Sequence, residues 1–339
     1  MKLKFSICCF LSLLAAQNTF AADAGLRYIT TRGIVRCGTD LSSDTYAKKD
    51  EDGIWSGIDV DFCKAFSLAV FGRSDRFEMV NVSSANADKA LKTNKIDIMF
   101  GGMPYSASTE LSGKASPADV LYYDRQMFLA KKIDDADSME AYKGSKVCTV
   151  TNSEDLSRLQ EYSEKYKLDF NPLLFRSENK AREAFLLNRC QLLTGNAVYL
   201  KSILTKNYAG KDDVALLPET IAVNPVYAYV AKDNITLRII SKWIINALKL
   251  AEEKEATSQN IKVFIGTKET STRNLLGDNP ELWQKFGLKP DWVRKAIAEI
   301  GNFGEIYEKN LGKDSELAME RKENQLMKNG GLIRPQSFL

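Results

Sequence analysis

The strongest constraint on this fold is the alternation of strand-like and helix-like segments, in which one helix–strand unit occurs twice. "SANADKALKTNKIDIMFGG" (84–102) and "SENKAREAFLLNRCQLLTGN" (177–196) each open on serine. Each continues as an amphipathic helix to Asn94 or Asn188, takes a basic residue, then runs as a short apolar-rich strand into glycine. Gly195 then matches Gly101, and Asn196 matches Gly102. Ser84 is the expected N-cap of the first helix, with Ala87, Ala90 and Leu91 on one face. Around this unit, "RGIVRCGTD" and "FEMVNV" read as strands and "GIDVDFCKAFSLAVFG" as a helix. Later, "SKVCTV" and "PVYAYVAKDN" read as strands, Met127–Ala130 as another, and "LRIISKWIINALKLAEE" as a helix. Strands alternating with helices imply a parallel sheet covered by helices. The echo suggests two α/β lobes of similar build.

A chain of 339 residues has room for two domains. It contains no histidine, which removes Ser-His-Asp and Cys-His catalysis and most zinc sites. No GxxxxGK[ST] or GxGxxG occurs, so nothing supports a nucleotide enzyme. Ser177-x-x-Lys180 matches a nucleophile pattern but lacks its companion elements and reads as chance.

The chain opens on Lys2 and Lys4, an apolar run from Phe5 to Ala16, and Thr19-Phe20-Ala21. That is the pattern of a secretory signal peptide, residues 1–21, cleaved after Ala21. Cys8 and Cys9 lie inside the apolar run with no small-residue motif before a terminal cysteine, so no lipid anchor is expected. Loss of Lys2 and Lys4 takes the 47 basic residues to about 45, against 44 acidic. That near-balance, with no basic cluster, argues against nucleic acid. Cys37, Cys63, Cys148 and Cys190 remain, an even number in an exported chain, which points to disulfides. Three pairings are possible. The sequential one, Cys37 with Cys63 and Cys148 with Cys190, puts one staple in each half.

Glycines at the carboxyl ends of parallel strands let a ligand approach the backbone, and Gly101, Gly102 and Gly195 stand at such ends. "VCTVTNSEDLSRLQ" is strand, Thr151-Asn152-Ser153, then helix. A helix start can bind an anion, but Glu154 and Asp155 already fill the first turn and would repel a carboxylate. Tyr46, Trp55, Tyr105, Tyr122 and Tyr123 include possible stacking walls for a small ligand.

"RGIVRCGTD", "GIWSGIDVDFCKAFSLAVFG", "KIDIMFGGM" and "YYDRQMFLAKK" together resemble the periplasmic substrate-binding proteins of polar amino-acid ABC transporters. "VALLPETI", "FGLKPDWVRKAIAEIGNFGEIYEKNLG" and "NGGLIRP" extend the likeness to the general L-amino-acid binding subgroup and its C-terminal extension. The resemblance implies a two-lobe α/β fold of the type II periplasmic-binding-protein kind. Each lobe would be a mainly parallel sheet flanked by helices, and two chain segments would form the hinge. Residues 25–124 and 230–339, with a C-terminal helical extension, would form lobe 1, and residues 125–229 lobe 2. It implies a periplasmic monomer that closes on an amino acid or related polar solute. The protein would deliver its ligand to the transmembrane subunits of an ABC permease, without cofactor or metal.

The expected ligand residues are Tyr46, Gly101, Gly102, Met103, Ser106, Thr109, Thr151, Asn152, Ser153 and Asn196. Of those that the resemblance carries over, Ser106 stands for a threonine, Thr151-Asn152-Ser153 for an altered glycine-threonine stretch, and both charged positions are lost. The carboxylate-binding arginine falls twelve residues after Asp97, at Thr109, and the ammonium-binding aspartate six after Cys190, at Asn196. A binder of zwitterions keeps both counter-charges, because an unpaired buried charge is costly. The paired loss therefore predicts a neutral cleft with either a less charged or differently arranged ligand or no high-affinity ligand at all, unless Lys114 or Arg125 supplies the missing cation. A receptor or scavenger without transport is a further alternative. An enzyme would need an acid–base pair, for which Glu110 is the one candidate.

Overall fold

The computed structural model describes residues 24–41, 44–103, 105–133 and 138–339. The expected export signal, with Cys8 and Cys9, lies outside them. The first part of the chain holds α1 (Ala24–Arg32), β1 (Val35–Thr39), the two-residue strands β2 (Lys48–Lys49) and β3 (Trp55–Ser56), and α2 (Ile58–Phe71). It continues with β4 (Phe77–Asn81), α3 (Ser84–Lys92), β5 (Ile98–Phe100) and α4 (Ala107–Ser112). Strand β6 (Ala115–Lys131) leads to β7 (Lys146–Val150), α5 (Glu154–Lys165), β8 (Asn171–Phe175), α6 (Glu178–Leu186), β9 (Leu192–Asn196) and α7 (Ala197–Asn207). After β10 (Val214–Leu216) and β11 (Ala222–Ala231) come α8 (Ile235–Glu253), α9 (Thr270–Leu276), α10 (Pro280–Lys285), α11 (Trp292–Ile300) and α12 (Phe303–Asn310).

One sheet runs β4-β1-β5-β11-β6-β9-β7-β8, with β10 beside β6. Its ends are two parallel triplets, β4-β1-β5 and β9-β7-β8. The antiparallel pair β6 and β11 joins them, β11 meeting β5 and β6 meeting β9. The chain thus crosses from one lobe to the other on β6 and returns on β11. The expected strand Met127–Ala130 is only the far end of a 17-residue strand. Its start, "ASPADV", has little strand propensity, but pairing with β11 along Ala115–Gln126 holds it extended.

The doubled unit keeps one offset throughout. Phe77, Ser84, Asn94 and Ile98 correspond to Asn171, Glu178, Asn188 and Leu192. Both helices end on a left-handed asparagine, Asn94 at φ 53° and Asn188 at φ 57°. In each, the next basic residue donates back into the helix, Lys95 N to Ala90 O (2.9 Å) and Arg189 N to Ala184 O (3.0 Å). Such an end turns the chain straight into the following strand. The N-cap of α3 is Ser83 rather than Ser84, because Ser83 has the extended backbone a cap needs (φ −72°, ψ 156°) and Ser84 is already helical. Ser177 caps α6 as its counterpart, accepting from Lys180 N.

Disulfides join Cys37 to Cys63, tying β1 to α2, and Cys148 to Cys190, tying β7 to the turn before β9. The sequential pairing is the one formed. Phe62, Phe66 and Phe100 pack in the first lobe. The C-terminal helices extend that core. Trp283 and Trp292 are fully buried with ring centroids 5.3 Å apart, edge to face. Trp283 Nε1 donates to Leu275 O (3.1 Å). Among the described residues no helix is long and apolar enough to cross a membrane.

Candidate functional site

The carboxyl ends of β1, β5, β7 and β9 converge on the β6–β11 crossing. On the first-lobe side, the loop after β1 carries Asp40, Thr45 and Tyr46. The Tyr46 carbonyl accepts from Asp59 N in the first turn of α2 (3.2 Å). Gly57 permits that approach: its φ is 125°, and a Cβ there would lie 2.3 Å from Tyr46 O. Three contacts then span the lobes. The Tyr46 side chain is hydrogen-bonded to the Asn196 side chain. Thr45 Oγ1 donates to Ser202 Oγ (3.0 Å), and Lys206 Nζ reaches Asp44 Oδ2 (3.4 Å). The two lobes are closed on one another.

The floor is β6. Asp124 and Gln126 are two residues apart on a strand and share a face. Asp124 is 4% exposed. Its Oδ1 accepts from Arg125 N (2.7 Å) and from Val198 N at the start of α7 (3.4 Å). Its Oδ2 has no hydrogen-bond partner among the described residues. Gln126, 0% exposed, donates from Nε2 to Asp155 O (2.8 Å) and Thr194 Oγ1 (3.2 Å), while its Oε1 has no partner. Thr149 Oγ1, buried on β7, has none either.

Carboxylates gather here from four elements: Asp40 after β1, Asp124 on β6, Asp155 in the first turn of α5 and Glu178 in that of α6. Burial pushes Asp124 up to about 7, opposed by the Arg125 and Val198 N–H groups and the Arg125 charge, and reinforced by Asp155. Glu178 is raised to about 7 by its enclosure, then by Asp155, Asp40 and Asp124. Water reaches its side chain, so its shift is the softer of the two. Burial also raises Asp155, against the pull of Arg158. Tyr46 is raised by burial and then by Asp124, Glu178 and Asp59. The expectation of a neutral cleft, made at Thr109 and Asn196, took in neither these carboxylates nor the guanidinium groups of Arg158 and Arg182 beside them. The counting rule followed two positions, while these carboxylates arrive from positions it did not inspect.

Gly101 and Gly102 both adopt positive φ, 58° and 67°. Gly101 N donates to Tyr227 O (3.0 Å), and a Cβ there would lie 3.1 Å from Val226 Cγ1. Val226 faces Tyr122 on β6. The Met103 carbonyl accepts from Tyr229 Oη (3.1 Å), and Tyr105 packs on Tyr227. Ser106 immediately precedes α4, which contains Thr109, and Ser106 O accepts from Glu110 N (2.9 Å). Thr151 N bonds Phe175 O (2.8 Å), and Asn152 sits at φ 54°. The Ser153 hydroxyl caps α5, accepting from Leu156 N (3.2 Å) and donating to Val150 O (2.7 Å). Lys114 is exposed at the first-lobe end of β6. Arg125 pairs with Glu323 at 3.4 Å.

Of the residues expected at the ligand, Tyr46 and Asn196 lie together in the structure. Asp40, Asp124, Gln126, Thr149 and Glu178 line the same region and were not among those expected. A signal was present: "GTD", "SED" and "SEN" each place an acidic residue just past the end of a parallel strand. Helix capping explains the last two equally well, which hid them.

The family profile of bacterial extracellular solute-binding proteins, family 3, matches residues 35–313. The chain is 27% identical to the general L-amino acid-binding periplasmic protein AapJ of Rhizobium johnstonii, over 95% of this chain and 94% of that one. It is 27% identical to the glutamate/glutamine/aspartate/asparagine-binding protein BztA of Rhodobacter capsulatus, over 96% of each. Its fold matches an ABC transporter periplasmic binding protein from Brucella ovis with glutathione bound. The TM-score is 0.83 at 27% identity, over 91% of this chain and 97% of that one.

Proposed function

The chain belongs to the bacterial extracellular solute-binding proteins, family 3, and from that membership we propose that it is the periplasmic receptor of an ABC-type amino-acid uptake system. It is a binding protein rather than an enzyme, as its family is. Its two lobes close on a small polar solute, and the closed form docks on the membrane permease. The observation that carries this reading is the closed cleft itself. Buried polar groups line its floor, and Tyr46, Thr45 and Asp44 reach across to Asn196, Ser202 and Lys206. The ligand shifts the equilibrium toward this state by binding it better than the open one.

Export through the inner membrane with cleavage after Ala21 belongs to the same proposal. So does a lobe division at Asp124–Arg125. On the return, Asn224 stands opposite Asp124 and Ala228 already pairs with Phe100. That supports a crossing near Asn224 in place of the expected boundary after residue 229. We also place ligand recognition outside the usual arginine–aspartate pair, because Asn196 is engaged with Tyr46 and Thr109 lies in α4.

The test is calorimetric titration of the mature chain, unfolded and refolded to strip any bound solute, against the common L-amino acids and glutathione. At least one is expected to bind with micromolar or tighter affinity. Failure of all of them would overturn amino-acid reception.

A further inference from the structure

We infer that the C-terminal extension is a strap across the two lobes, which limits how far they open. This rests on lobes that move, as those of the proposed receptor do, and on no property of the ligand. Two neighbouring residues of the extension grip the crossing strand on either side of the proposed lobe division. Asn324 holds both backbone groups of Tyr123, at 2.7 and 2.9 Å. Glu323 pairs with Arg125 at 3.4 Å. Pro225, opposite Tyr123 on β11, has no N–H to offer the Tyr123 carbonyl, and Asn324 supplies one instead. The ion pair is largely enclosed, with side chains 12% and 23% exposed, so salt screens it less than a surface pair.

A third contact reaches past the crossing. Met319 packs at once against the first-lobe core of α2, α8 and α12 and against the second-lobe core of α6, β9 and α7. No other half-buried apolar side chain among the described residues joins these two cores. The extension is itself fixed to the first lobe before and after these contacts. Leu311 and Leu317 are buried in that core. Arg321 donates to both carboxylate oxygens of Glu252 on α8, at 2.7 and 3.1 Å. Further on, Asn246 and Gln336 exchange two hydrogen bonds (2.8 and 2.6 Å), and the Phe338 ring packs on Trp243 and Trp283. A segment anchored in one lobe that touches the other must let go or shift when the lobes part. Opening therefore exposes the apolar contact of Met319 with the second lobe and pulls on the Glu323–Arg125 pair, while the closed form keeps both.

The test compares the mature chain, refolded without ligand, with the double variant Met319→Ala/Glu323→Gln. Both side chains are only half-buried, so the variant is expected to fold. Met319→Leu keeps the apolar contact and serves as the conservative variant. Small-angle scattering is expected to give a larger radius of gyration for the double variant than for the parent, and the parent's radius for Met319→Leu. Amide hydrogen exchange separates opening from loosening. Exchange through α8 and α12, which carry the anchors of the strap, is expected to stay at the parent's rate in the double variant. An unchanged radius in the double variant overturns the strap. So does a radius in Met319→Leu as large as the double variant's. A larger radius with faster exchange throughout α8 and α12 means a loosened first lobe, and overturns it as well. No ligand enters the measurement, so each of these results leaves amino-acid reception standing. Failure of every amino acid to bind would equally leave the strap standing.

Discussion

Asn324 grips both backbone groups of Tyr123. Its Oδ1 accepts from Tyr123 N (2.7 Å), and its Nδ2 donates to Tyr123 O (2.9 Å). Tyr123 immediately precedes Asp124 on the strand that crosses between lobes. Arg321 secures the grip by donating to Asn324 O (2.7 Å) and pairing with Glu252. The C-terminal extension thus stiffens the crossing strand beside the cleft.

Asn324→Ala leaves two backbone groups of Tyr123 without partners in a buried setting. It is expected to lower stability by about 2–4 kcal/mol, the cost of two unsatisfied groups. Urea denaturation with a fitted midpoint reads this directly. A loss under about 0.5 kcal/mol would show that water takes over the role of Asn324.

The disulfides constrain the unfolded chain by an amount that grows with the logarithm of the loop each closes. With separations of 42 residues for Cys148–Cys190 and 26 for Cys37–Cys63, chain entropy assigns them about 4 and about 3.5 kcal/mol. The double variants Cys148→Ala/Cys190→Ala and Cys37→Ala/Cys63→Ala are expected to lose roughly these amounts, with the larger loss in the second lobe. Equal stability of either variant and the parent would contradict the entropic account.

Stability of the ligand-free protein should fall as pH rises from about 5.5 to about 8. Burial holds Asp124 at about 7 and Asp59 at about 8, above the unfolded values near 4. A carboxyl with a higher pKa folded than unfolded binds more protons when folded. Its contribution is complete below the unfolded pKa and disappears as pH passes the folded one. Asp124 faces Arg125, Asp155, Glu178, Tyr46, Tyr122 and Tyr307, while Asp59 faces Thr39, Tyr46 and Tyr122. Asp75 and Glu269, whose pKa values are lowered by Arg73 and Lys254, act in the opposite sense only at more acid pH. Melting temperature by calorimetry at pH 5.5 and pH 8 is the measurement. A higher value at pH 8 would refute the assignment.

The contacts between lobes hold the closed form. Tyr46→Phe with Thr45→Val removes two of them, worth about 1 kcal/mol each. Small-angle scattering of the ligand-free variant is expected to show a larger radius of gyration than the parent. An identical radius would place the closing force elsewhere, in the β6–β11 pairing.

The lobes were legible because their signals are local. Serine, an apolar face, a left-handed asparagine and a basic residue specify each helix end within about a dozen residues, and this occurs twice. Cysteine spacing allowed the sequential pairing, but only the packing of α2 on β1 and of β9 beside β7 selected it. The start of β6 was missed because its extended form comes from β11, about a hundred residues later. Ser84 was misplaced by one position, because two adjacent serines satisfy the same capping rule and backbone geometry chose Ser83.

The sequence by itself determined the elements, their order, the two-lobe plan and the absence of histidine chemistry. Which charges meet in the cleft was decided by tertiary structure alone. Asp40, Asp124, Asp155 and Glu178 are separated along the chain, and each has an adequate local reading as a turn, strand or cap residue. Only when β6 and β11 set the strand ends of both lobes face to face do their charges act on one another. Electrostatic energy depends on distance in space and on burial, and neither is a property of sequence spacing.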